Sequence, residues 1–187
     1  YEIPKRDWSS DVCSSDLDWY DWWDATYDDA KAILAAIGFT NVDIRFTGFY
    51  SQGFFFKQKT AYDYSPGWQK KLKAYCPLET VAAEAGEALQ AIQKRYGYRL
   101  AGGVERERYS RYCHDGTMSG SLCDEGDGRE VAEADEREFT AIARRLARWI
   151  YEQLEKTWDD LNGDECVASV IEDNEYEFYE DGSRCRE

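Results

Sequence analysis

The chain has 187 residues, 43% apolar and 16% aromatic, enough for one hydrophobic core and too aromatic for a disordered segment. Its formal net charge is −15, and the excess is confined to one end: residues 1–123 carry 17 acids and 15 bases, residues 124–187 carry 21 acids and 8 bases. A surface of that sign repels phosphate, which argues against nucleic acid or an anionic membrane as direct ligand, and no apolar run is long enough to span a bilayer; the expectation is a soluble, cytoplasmic protein.

In chain order, residues 7–17 (DWSSDVCSSDL) resemble translated sequencing-adapter sequence, and Tyr1–Ile3 resemble the end of the neighbouring primer. Residues 54–62 (FFFKQKTAY) resemble the other end of that primer. Residues 1–17 are therefore expected to be a non-native extension standing where the natural N-terminus would be, with residues 18–187 as a single acidic domain. Residues 54–62 lie inside the chain, and three Phe followed by polar residues can pass for a strand.

Residues 26–37 place Ala30, Ile33, Leu34 and Ile37 on one helical face, with Gly38 at the end. Val42, Ile44 and Phe46 alternate with polar residues as a strand does, and 47–53 (TGFYSQG) form a glycine-bounded turn. Ser65-Pro66 opens a short helix in which Trp68, Leu72 and Tyr75 share a face. A helix over 80–96 carries Ala85, Leu89, Ile92 and Tyr96, with Lys94 and Arg95 in its last turn and Gly97 after it. Residues 98–112 and 116–123 read as an antiparallel pair, with a bulge or bend expected at Gly102-Gly103.

Asp135 and Glu138 form an expected capping box for the longest helix, near 136–160. There Phe139, Ile142, Leu146, Trp149, Ile150, Leu154, Trp158 and Leu161 recur every three or four residues. A short helix at about 163–172 and an alternating edge strand at 175–182 complete the pattern. Helices and strands mix without a βαβ rhythm, so the fold class is α+β, a mostly antiparallel sheet packed against several helices.

Chemistry-bearing residues are present without a catalytic pattern. None of the six cysteines forms C-x-x-C, so reduced thiols are expected. Cys113 precedes the single His114, but neighbouring residues of a strand point to opposite faces and cannot converge as a nucleophile and base. The carboxylate pairs Asp28/Asp29, Asp159/Asp160 and Glu172/Asp173 fall on expected exposed helix faces and ends rather than in a cleft. No catalytic residue, metal ligand or cofactor is assigned. Trp19, Trp22 and Trp23 precede the first helix, where they serve core packing or anchor an interface. The turn residues Gly48, Phe49, Ser51, Gln52 and Gly53 are the most site-like group, and Glu172, Asp173, Glu175 and Glu177 the candidate acidic binding residues.

Residues 18–31 (DWYDWWDATYDDAK), 47–53, 148–167 (RWIYEQLEKTWDDLNGDECV) and 174–182 (NEYEFYEDG) resemble a phage- and prophage-associated acidic family whose members carry the label "antitoxin of toxin–antitoxin stability system". Two departures from it coincide with the adapter-like stretches, at 1–17 and after the turn at 53. The resemblance implies an antitoxin-like or accessory protein of phage origin, and the acidic C-terminal third adds the expectation that it is non-enzymatic and binds a basic protein partner, a toxin or a host defence protein. Two other readings stay open: an anti-defence protein that mimics the charge of DNA, and a small carboxylate-dependent hydrolase.

Overall fold

The computed structural model describes residues 23–46, 54–56, 60–106, 115–126, 128–179 and 182. The turn at 47–53, Cys113 and His114, Cys13 and Cys185, and Trp19 and Trp22 lie outside them.

Helix α1 (Asp24–Ala36) leads into strand β1 (Phe39–Thr40), then β2 (Ile44–Phe46), β3 (Phe54–Phe56) and β4 (Thr60–Asp63). Helices α2 (Trp68–Tyr75) and α3 (Thr80–Arg95) precede strands β5 (Leu100–Arg106) and β6 (Met118–Asp124), the latter entered through a 3-10 turn at Asp115–Thr117. Helices α4 (Glu133–Leu161) and α5 (Asp164–Asp173) follow. The fold is α+β: a four-stranded antiparallel sheet in the order β1-β4-β5-β6, and a separate antiparallel pair β2-β3.

Two compact units divide the described residues, one running from Ala25 to Glu155 and a smaller one that takes in Lys156 onward. In the larger unit the helical stripe read from the sequence is the core. Phe139 and Ile150 are fully buried, Leu146 is 1% exposed, and Leu154 is also sealed. The rings of Phe39, Tyr62 and Phe139 meet in one cluster with centroids 5.1–6.0 Å apart. Burial pushes the Tyr62 hydroxyl up to about 12, because the phenolate would lose its hydration there. Gln93, wholly buried at the end of α3, answers the start of β5 as a strand would: its Nε2 donates to the Leu100 carbonyl (2.6 Å) and its Oε1 accepts from the Leu100 N–H (3.1 Å).

Four expectations need correction or refinement. No bulge occurs at Gly102-Gly103; the register runs unbroken from Leu100↔Asp124 to Arg106↔Met118. The glycine serves close approach instead, since a β-carbon on Gly102 would lie 2.3 Å from the Ser121 carbonyl oxygen. Asp135 and Glu138 do not form a capping box, because α4 starts two residues before Asp135; both carboxylates turn to Arg95. Tyr75, at the end of the face it shares with Trp68 and Leu72, is not buried as they are: it is 50% exposed and its hydroxyl donates to Asp29 Oδ1 at 2.6 Å. That bond to a carboxylate raises the Tyr75 pKa, since a phenolate could not donate it. The edge strand expected over 175–182 is an isolated bridge at Phe178 among the described residues, because the backbone at Glu175 turns left-handed (φ 52°) and breaks the extension.

Candidate interaction surface

The helix ends differ in chemistry along the chain, and the difference marks the acidic segment. Helix α3 ends in a Schellman motif: the Tyr98 N–H donates to the Gln93 carbonyl (2.8 Å), the Gly97 N–H to that of Lys94 (3.4 Å), and Gly97 takes the left-handed position with φ 65°. Lys94 and Arg95 sit in its last turn, where cations answer the free carbonyls and the negative end of the helix dipole. Both choices favour stability.

Helix α5 closes with the same hydrogen bonds and the opposite residues. The Tyr176 N–H donates to the Ile171 carbonyl (3.0 Å) and the Glu175 N–H to that of Glu172 (3.1 Å). The left-handed position is held by Glu175 rather than glycine, which sets a β-carbon against the neighbouring carbonyl. The last turn carries Glu172 and Asp173 and no base, anions placed against the negative end of the dipole. Asn174 relieves part of this, its backbone N–H and its Nδ2 both reaching the Val170 carbonyl at 3.2 and 2.8 Å. Helix α4 likewise ends with Asp159 and Asp160 and no base in its last turn. Of the acids in residues 156–179, only Asp164 and Glu165, in the first turn of α5, are placed where the dipole favours them.

Residues 156–179 thus hold eight carboxylates, at 159, 160, 164, 165, 172, 173, 175 and 177, against the single Lys156, and all eight are exposed. Among the described residues none of them enters an ion pair; the one hydrogen bond to their side chains comes from Ser169 Oγ to Asp173 Oδ2 at 3.2 Å. In the larger unit several carboxylates are paired locally. Arg95 bonds Asp135 (2.6 Å) and Glu138 (2.8 Å), Arg148 bonds Asp115 (2.5 Å), and Arg145 bonds Glu84. Tyr96 donates to the second oxygen of Asp135 at 2.6 Å, and that bond raises the Tyr96 pKa. With both oxygens of Asp135 occupied, the group pins the end of α3 to the start of α4.

Of the residues singled out from sequence, the structure brings Glu172, Asp173, Glu175 and Glu177 together at one helix end and its exit, all exposed. Gly48, Phe49, Ser51, Gln52 and Gly53 lie outside the described residues. Asp164 and Glu165, not singled out before, extend the surface to the other end of α5; the spacing of acids in the sequence was the sign available for them. Cys76, Cys123 and Cys166 are free thiols. Among the described residues no three His, Cys, Asp or Glu side chains gather as metal ligands, and no helix is long and apolar enough to cross a membrane.

A family model described as a domain of unknown function (DUF8835) matches residues 22–164. No curated protein and no solved structure matches the chain.

Proposed function

We propose that this chain, which belongs to the DUF8835 family, is an acidic interaction protein that engages a basic protein partner through the carboxylates flanking α5. An antitoxin-like or phage accessory role fits that chemistry. The observation that carries the reading is the cost at which the acids are held. Glu175 occupies a left-handed site where glycine is usual, and Glu172, Asp173, Asp159 and Asp160 oppose helix dipoles. The same protein uses Gly97, Lys94 and Arg95 at the equivalent positions of α3. Solubility alone would be served by acids placed anywhere on the surface. Acids kept where the backbone disfavours them, and left without internal counter-ions, await an external cation.

The test is association rate against ionic strength with a partner captured from phage-infected host lysate. Exposed charges act over a Debye length of about 8 Å at physiological salt, so association should slow steeply as salt rises. The form carrying Glu172→Lys, Asp173→Lys, Glu175→Lys and Glu177→Lys should associate at least about tenfold more slowly at low salt and keep the wild-type circular dichroism. Equal and flat salt dependence for both forms refutes the proposal.

A further inference from the structure

Strand β6 is an edge of the described sheet, and until the buried Asp124 at its end it carries none of the usual defences of an edge. Its first six residues, Met118 to Cys123, contain no charge and no proline, and its register with β5 has no bulge. A strand of this kind offers one free row of amide and carbonyl groups to any chain able to pair with it. Here that row is taken by side chains of α4. Glu136 Oε1 accepts from the Leu122 N–H (3.2 Å). Thr140 Oγ1 accepts from the Gly120 N–H (3.1 Å) and donates to the Gly120 carbonyl (3.4 Å). Arg144 donates from Nε (3.0 Å) and Nη2 (2.8 Å) to the Met118 carbonyl.

The match is one of periods. Four residues of helix rise about 6.0 Å, and two residues of antiparallel strand about 6.8 Å. Side chains at 136, 140 and 144 can therefore keep step with backbone groups at 122, 120 and 118, the helix running antiparallel to the strand. Gly120 is what lets them come so close: a β-carbon there would lie 2.7 Å from the Phe139 ring and 3.1 Å from Thr140 Oγ1.

We infer that the row Glu136, Thr140 and Arg144 acts as a guard, standing in for a fifth strand, and that the β6 edge beneath it pairs with a second copy of this chain when the guard is removed. Self-pairing suits the strand's own sequence. An antiparallel partner centred on Gly120 sets Met118 opposite Leu122, apolar against apolar, and Ser119 opposite Ser121. The Gly120 N–H and carbonyl, both directed outward, then bond their counterparts in the other copy.

The experiment compares the full chain with the variant Glu136→Ala, Thr140→Val, Arg144→Ala by sedimentation velocity and amide hydrogen exchange over a range of protein concentration. The variant is expected to gain one doubling in mass over wild type. Its Gly120 and Leu122 amides should exchange at least about tenfold faster at low concentration and regain protection as the protein associates. Adding Ser119→Lys and Ser121→Lys, whose side chains lie on the exposed face of β6, should restore the wild-type mass, because the pairing would bring four lysines together. The inference is overturned if the variant keeps the wild-type mass, if its association survives the two lysines, or if Gly120 and Leu122 stay protected at low concentration. Should the triple variant not fold, Thr140→Val alone, which keeps the side-chain shape, must still give a faster Gly120 amide whose protection returns with concentration; a rate equal to wild type or independent of concentration overturns the inference.

Discussion

Replacing Glu175 by glycine should make the protein more stable. A residue with a β-carbon in the left-handed region costs roughly 1–2 kcal/mol, and Glu175 sits there with φ 52°. Glycine removes that cost and gives back about 0.5–1 kcal/mol through the greater freedom of the unfolded chain. The substitution also takes an anion away from the C-terminus of α5, worth about 0.3–1 kcal/mol at low salt. The balance is a gain of about 1 kcal/mol, a rise in thermal midpoint of about 2–4 °C where α5 unfolds with the rest of a chain this size. Because the change is local, exchange of the Tyr176 amide, which closes the motif on the Ile171 carbonyl, should slow about fivefold. Two controls separate the causes. Glu175→Ala removes the charge and keeps the β-carbon, so it should recover only the part that high salt abolishes. Gly97→Ala, at the equivalent site of α3, should cost about 1 kcal/mol. A Glu175→Gly protein no more stable than wild type would refute the claim that the acid is held against the backbone's preference, and with it the main support for a binding role.

Truncating Leu146, 1% exposed on α4, to alanine should cost roughly 2–5 kcal/mol in denaturant unfolding, and a loss under about 0.5 kcal/mol would contradict its place in the core. The Tyr62 pKa of about 12 in the fold, against 10.0 for the free group, means that the folded state holds this proton more tightly. The resulting stability is fully present below pH 10 and is lost as pH rises from about 10 to 12, amounting to about 2–3 kcal/mol at most. Stability measured at pH 8 and again near 11.5 should therefore fall further in wild type than in Tyr62→Phe, and equal losses would show that burial of this hydroxyl does not matter.

Elements whose burial repeats regularly were legible in the sequence. The α4 stripe was readable because Phe139, Ile142, Leu146, Trp149, Ile150 and Leu154 recur at helical spacing on one buried face. The antiparallel β5–β6 pair showed through two strand-like runs on either side of a turn. What failed did so for want of three-dimensional context. Asp135 and Glu138 have the spacing of a capping box, but the Arg95 that claims them is 40 residues away, and no local pattern records it. Gly102 looks like a bulge on its own; only the Ser121 carbonyl beside it shows why a β-carbon is excluded and the register kept. The alternation of 175–182 counts polar and apolar residues, whereas the backbone there is ruled by the closure of α5 one residue earlier.

The acidic surface was half legible for the same reason. Charge is a sum over residues, so an excess of acids after residue 123 needs no structure to be seen. Whether an acid is an indifferent solubilising group or one held at a cost depends on where a helix stops, and helix ends shift by a residue or two under small changes in pattern. Moving the end of α5 by one position would take Glu175 out of the left-handed site and remove the strongest reason to single it out. The closing hydrogen bonds from Glu175 to Glu172 and from Tyr176 to Ile171 fix that end. They turn an even-looking run of acids into one strained member among exposed neighbours, and place the strain beside the carboxylates expected to meet a basic partner.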